Sequence, residues 1–153
     1  VGEGPYVTEL KDETGDRIRD LGHEYGTVTK RPRRCGWLDL VTLKYAIDIN
    51  GVNYINLNHL DTIGHFDTFK ACVAYEVDGV TTTDFSTNEE FLSKAKPVYK
   101  EFKGNFGDVS KCKSFDELPD NAKEYVNFIE EYTGTKVKLI GTGADRENMI
   151  VRE

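Results

Sequence analysis

Between residues 119 and 132 apolar side chains recur at helical spacing, with Ala122, Tyr125, Val126 and Ile129 on one stripe. That period buries one face of an α-helix. Pro119 suits the first turn, which has no use for an N–H, and Gly134 stops the helix. A second helix is predicted over 37–49, where Leu38, Val41, Tyr45 and Ile49 form one stripe and Leu40, Leu43 and Ile47 another. Apolar over much of its circumference, it is expected to be deeply buried. Residues 16–21 read as a helical turn or two that Gly22 ends. Over 52–57, Val52, Tyr54 and Asn56 alternate with Asn53, Ile55 and Leu57, and apolar residues on both faces predict an inner strand. Phe69, Ala71, Val73, Tyr75 and Val77 alternate up to Asp78-Gly79, a strong two-residue turn, and 80–83 return as an antiparallel hairpin. A short strand starts at Pro97 and runs to 102, and a final one is expected over 137–140. Residues 6–10 give a weak extended signal, 85–96 a polar connection with one helical turn, and 103–113 a glycine-containing loop. Helices and strands alternate around a hairpin, which predicts an α/β class with a mixed sheet in one unit spanning 1–153.

Length and composition keep that reading and narrow the chemistry. A chain of 153 residues can bury one full-sized core. No apolar run is long enough for a bilayer and no basic-then-apolar leader opens the chain, so the cytoplasm is the expected compartment, with no membrane partner. Cys35, Cys72 and Cys112 are odd in number, lack Cys-x-x-Cys spacing and read as reduced thiols, and no His/Cys cluster has zinc-site spacing. The net charge of −7 argues against nucleic acid as a partner, because phosphate backbones are gripped by broad basic surfaces. The start at Val1, inside Gly-Glu-Gly-Pro, reads as an excised or processed piece.

Against that acidic background, Lys30, Arg31, Arg33 and Arg34 crowd around Pro32. So much like charge needs an anion. Proline keeps the residue before it out of the helical region, so the segment should run extended, with Arg31 and Arg33 on one side and Arg34 on the other. Guanidinium forks suit phosphate and carboxylate, which suggests a small anionic ligand. Asp61 follows the 52–57 strand, and ligands of open α/β sheets sit beyond the carboxyl ends of strands. A helix cap or turn is the commoner meaning of such a position. Gly141-Thr142-Gly143-Ala144 lets backbone approach a flat or charged ligand. A plain tight turn is again the commoner reading.

Several separated segments resemble adenylosuccinate synthetase, and the resemblance covers essentially the whole chain as the C-terminal part of that family. Its most specific motifs are Gly22-His23-Glu24-Tyr25-Gly26 and Arg31-Pro32-Arg33-Arg34-Cys35-Gly36-Trp37-Leu38-Asp39. Val1-Gly2-Glu3-Gly4-Pro5 and Asp12-Glu13-Thr14-Gly15 precede them. Leu60-Asp61, Cys72-Val73-Ala74-Tyr75-Glu76, Lys96-Pro97-Val98-Tyr99, Thr133-Gly134 and Gly143-Ala144-Asp145-Arg146 follow in the family's order. The resemblance implies the C-terminal part of a P-loop-NTPase-like fold, with a mixed, mostly parallel sheet, flanking helices and an antiparallel hairpin. It also implies a ligase of AMP biosynthesis that joins IMP to L-aspartate with GTP as substrate, usually as a homodimer.

By the resemblance, Thr27, Val28, Thr29, Lys30, Arg31, Pro32 and Arg33 form a loop over aspartate and IMP, with Arg31 toward IMP and Arg33 toward GTP. His59, Leu60, Asp61, Gly141, Thr142 and Gly143 would complete the GTP site. One carboxylate can accept from both N1–H and the exocyclic amine of guanine, a donor pair that adenine lacks. The chain departs from the family's Thr-Thr-Thr-Gly-Arg-Pro at Val28 and Lys30, and from its Lys-Leu-Asp at His59. The phosphate loop, the general base that helps hold Mg2+ and the acid histidine belong to the family's N-terminal part, and no Gly-x-x-x-x-Gly-Lys pattern occurs here. No catalytic residue or metal ligand is therefore assigned in these residues, and the piece alone is expected to be inactive. The competing class is a non-catalytic anion- or nucleotide-binding module.

Overall fold

The structure, a computed structural model, describes residues 3–153. The expected turn over 1–5 falls partly on Val1 and Gly2, which lie outside the described residues. The helices are α1 (Glu13–Leu21), α2 (Leu40–Asn50), α3 (Leu60–Gly64), α4 (Glu89–Lys94) and α5 (Asp120–Thr133). The strands are β1 (Leu38–Asp39), β2 (Tyr54–Leu57), β3 (Thr68–Val77), β4 (Val80–Thr82), β5 (Lys96–Lys103), β6 (Lys136–Gly141) and β7 (Met149–Val151). The class is α/β with mixed pairing, as expected, and the strands divide between two sheets. Two compact units result. One comprises the described residues up to Tyr45 with Lys70–Lys100, the other Ala46–Phe69 with Glu101–Glu153. Among the described residues no helix is long and apolar enough to cross a membrane.

In the first unit β3 is the organising strand. It pairs with β1 in parallel, with β4 antiparallel, and with β5. The β3–β4 turn is the predicted Asp78-Gly79, both with positive φ, which matches the twist of the flanking strands. Val41, Cys72 and Tyr75 form a buried cluster against which Val7, Val77, Phe85, Phe91, Ala95 and Tyr99 pack. Helix α1 is longer than the predicted 16–21, because Asp12 accepts from the Thr14 and Gly15 backbone N–H groups and starts it early. The weak extended signal at 6–10 resolves into a turn and a single bridge, Glu9 to Gly36.

Two expectations for α2 need correction. It begins at Leu40 rather than Trp37, because Leu38 and Asp39 pair with Ala71 and Cys72 as a strand, and the Asp39 carboxylate then accepts from the Val41 and Thr42 N–H groups at 3.1 Å. It is also not buried all round. Leu40, Val41 and Ile47 are buried, whereas Ile49 is 62% exposed.

In the second unit β2 and β6 run parallel and β7 lies antiparallel beyond β6. Among the described residues the 52–57 segment is therefore an edge strand and not the inner one expected, with Val52 and Tyr54 exposed. Nor is 137–140 the last strand, since β7 follows it. Helix α5 keeps its predicted start and stop, with Gly134 left-handed at φ 68°. Its stripe of Ala122, Tyr125, Val126 and Ile129 is fully buried. Tyr125 meets Phe69 and Phe102 edge-on, at 4.9 and 5.1 Å between ring centres, a favoured aromatic geometry.

Candidate functional site

In the second unit a cavity of about 640 Å³ opens beyond the carboxyl end of β2. Its wall includes Asp61, His65, Asn105, Ser110, Thr142, Gly143 and Asn148. Two segments far apart in the sequence, the turn after β2 and the loop after β6, thus reach one hollow because β2 and β6 are hydrogen-bonded neighbours. Asp61 stands in the first turn of α3 and is not its cap, since His59 occupies that position with left-handed backbone at φ 62°. The Asp61 backbone carbonyl accepts from His65 Nδ1 at 2.8 Å. Its carboxylate has no donor among the described residues, which leaves both oxygens for a ligand.

The glycine loop is held by a residue that the sequence reading did not single out. Asn148 accepts at its backbone oxygen from the Thr142 N–H at 2.9 Å and from the Thr142 hydroxyl at 3.2 Å. Its side chain accepts from the Asp145 N–H and donates to the Ser110 carbonyl, each at 3.1 Å. A Cβ on Gly143 would stand 2.7 Å from Asn148 Oδ1, so glycine there is a packing requirement. The polar residue just before a returning strand was the available signal. Leu60, Gly141 and His59 stand outside this cavity's wall. Leu60 is fully buried, Gly141 ends β6, and the His59 Nδ1 lies 3.3 Å from the Thr62 hydroxyl.

In the first unit the arginine stretch folds back on itself. Tyr25 bridges Pro32 antiparallel, the Gly26 N–H donates to the Arg31 carbonyl and the Arg33 N–H to the Glu24 carbonyl, both at 2.9 Å. Residues 27–30 form the exposed tip, with Val28 91% exposed. Lys30 has φ 56°, in the left-handed region that resists a side chain. The anions expected for these cations are partly internal. Arg33 Nη1 donates to Glu24 at 2.7 Å. Arg34 grips Glu9 with a two-pronged contact at 2.9 and 2.8 Å, reaches the Gly4 carbonyl at 2.8 Å and lies over the Tyr6 ring. That hydrogen-bonded pairing holds the Glu9 carboxyl below the usual range. Arg31 and Lys30 have no side-chain partner among the described residues. Arg34 is thus committed to holding residues 4–9, whereas Lys30 and Arg31 are left open among the described residues.

The three cysteines are free, and burial pushes the Cys72 thiol up to about 12. Among the described residues no three His, Cys, Asp or Glu side chains come together as a metal site.

The adenylosuccinate synthetase family model matches residues 1–150. Adenylosuccinate synthetase of Acetivibrio thermocellus is 55% identical over 151 residues, covering 99% of this chain and 36% of the relative. That of Aquifex aeolicus is 50% identical over 98% of the chain. A structure described as fully ligated adenylosuccinate synthetase from Plasmodium falciparum superposes with a TM-score of 0.93 at 44% identity, covering all of this chain and 37% of that one. The chain spans a little over a third of the length of these relatives.

Proposed function

The chain belongs to the adenylosuccinate synthetase family, and from that premise we propose that it carries the guanine-reading cavity and the arginine loop of a ligase that joins IMP to L-aspartate with GTP. The observation that carries the proposal is the Asp61 carboxylate, without a donor among the described residues, in one wall with Thr142 and Gly143. Its two oxygens accept from the N1–H and the exocyclic amine of guanine, while the close backbone at Gly143 borders the flat base. Adenine offers no such donor pair, so ATP would leave a desolvated carboxylate unpaired.

In the first unit Arg31 serves the IMP side and Arg33 the GTP side, and the 27–29 tip approaches aspartate with the hydroxyls of Thr27 and Thr29. Val28 adds none. Phosphoryl transfer to the IMP 6-oxygen, and displacement of that phosphate by the aspartate amine, both develop negative charge that fixed guanidinium groups stabilise. Among the described residues no three His, Cys, Asp or Glu side chains come together to hold a magnesium ion. Magnesium, where bound, would screen phosphate charge. The intact enzyme is assigned to the cytoplasm as a homodimer.

The test uses the intact protein that contains this segment. Asp61→Asn should raise the KM for GTP by roughly a hundredfold, as expected for losing a charged, two-acceptor contact, with the KM values for IMP and aspartate unchanged. Xanthosine triphosphate should then be the better substrate, because its 2-oxo group accepts from the introduced amide. Unchanged GTP kinetics would sink the assignment. The 153-residue chain assayed alone should form no adenylosuccinate.

A further inference from the structure

Arg33 is held at three points, and the holders come from one place. Its N–H donates to the Glu24 carbonyl at 2.9 Å, its carbonyl accepts from Arg19 Nε at 2.8 Å, and its guanidinium donates to the Glu24 carboxylate at 2.7 Å. Arg19 lies in the last turn of α1, and the Glu24 N–H donates in turn to the Arg19 carbonyl at 2.8 Å. Arg19 is itself fixed by Asp16 one turn earlier, and Tyr25 donates its hydroxyl to Asp20 of the same helix. The last turn of α1 and Glu24, three residues beyond its end, therefore clamp both sides of the loop base. Arg31, two residues away, has no side-chain partner among the described residues.

We propose that Glu24 and Arg19 are positioning residues for Arg33, so that the nucleotide affinity assigned to Arg33 depends on a clamp built by the last turn of α1 and the residues just after it, outside the arginine motif. The inference rests on the placement of Arg33 on the GTP side. Arginine loses much rotamer freedom on binding. Glu24 removes that loss in advance by fixing the guanidinium. A guanidinium carries five N–H donors in a planar fork, and the side chain of Arg33 is 46% exposed while paired, so donors remain for a phosphate oxygen. Charge cancellation by Glu24 is the opposing effect, and at a half-exposed pair solvent screens it.

The experiment measures steady-state kinetics and thermal midpoints of the intact enzyme carrying Arg33→Ala, Glu24→Gln, Arg19→Met and the double change of Arg33→Ala with Glu24→Gln. Glu24→Gln keeps size and removes the charge. The expected result is a rise of about tenfold in the KM for GTP for Glu24→Gln, in line with losing one charge-assisted contact. Its KM for IMP and its thermal midpoint should stay unchanged. Arg19→Met should move the same parameter, and the double variant should be no worse than Arg33→Ala alone. Glu24→Gln with an unchanged or lowered KM for GTP, beside an impaired Arg33→Ala, would overturn the clamp alone. So would a general loss of all KM values with a fallen thermal midpoint. An Arg33→Ala enzyme with normal GTP kinetics would instead overturn the placement of Arg33, and the clamp with it.

Discussion

At the scale of single residues, the arginine stretch contains both a strained position and a braced one. Lys30 holds φ 56° without a side-chain partner among the described residues. A side chain in that region costs on the order of 1 kcal/mol that glycine does not incur. Lys30→Gly is therefore expected to leave stability equal or raise it by up to about 1 kcal/mol in urea unfolding. A clear loss would show that the lysine makes a compensating contact. Glu9 is the braced position. Its carboxyl is held below its ordinary value of 4.5 by the Arg34 fork. With the folded value below the unfolded one, its contribution to stability is present above about pH 4.5 and disappears as pH falls through the lower folded value. Unfolding midpoints measured from pH 6 down to pH 3, a range of roughly three units around that value, should fall less steeply for Glu9→Gln than for the parent chain. Equal slopes would remove Glu9 from the acid response.

Among the elements, α5 and the β3–β4 hairpin were legible because their boundaries are written locally, in Pro119, Gly134 and Asp78-Gly79. The start of α2 was not. Trp37 and Leu38 fit a helical stripe as well as a strand, and the parallel pairing of Leu38 with Ala71 decides between them across more than thirty residues of sequence. Asp39 marks the change physically. One oxygen caps α2, and the other accepts from the buried Tyr75 hydroxyl, which also lies 2.9 Å from the Thr42 hydroxyl. Asp39→Ala removes the cap and one of two partners of a buried phenol, so it should cost about 2 kcal/mol. Asp39→Asn keeps an oxygen on the cap and should cost less than half as much. Equal losses for the two would show that charge, not capping, is what α2 needs. The site was readable in the same uneven way. Asp61 and Gly143 stood out by type and position, whereas Asn148 bears on the site only through the loop it holds, and Glu24 reaches Arg33 only through a hairpin that folds it back.

At the scale of the whole molecule, the sequence told which segments are strands but not how many neighbours each has, because periodicity records burial of faces and is silent about edges. Apolar residues on both sides of 52–57 read as an inner strand, yet β2 pairs with β6 alone among the described residues. Ile49, Val52 and Tyr54 are 62, 39 and 50% exposed in the same unit. An unpaired edge beside exposed apolar side chains is a template for a second chain, since both hydrogen bonding and burial favour pairing there. The 153-residue chain alone should therefore self-associate. Sedimentation velocity over a hundredfold concentration range, wide enough to reveal weak pairing, should show its mean sedimentation coefficient rising. Tyr54→Lys places a charge on the open edge and should suppress the rise without unfolding the chain, as natural edge strands are protected by lysine. A single monomeric species across the range, with Tyr54 in place, would mean that the edge is already covered by its own side chains, for which the Lys138 ammonium 4.9 Å from the Tyr54 ring centre is the nearest candidate.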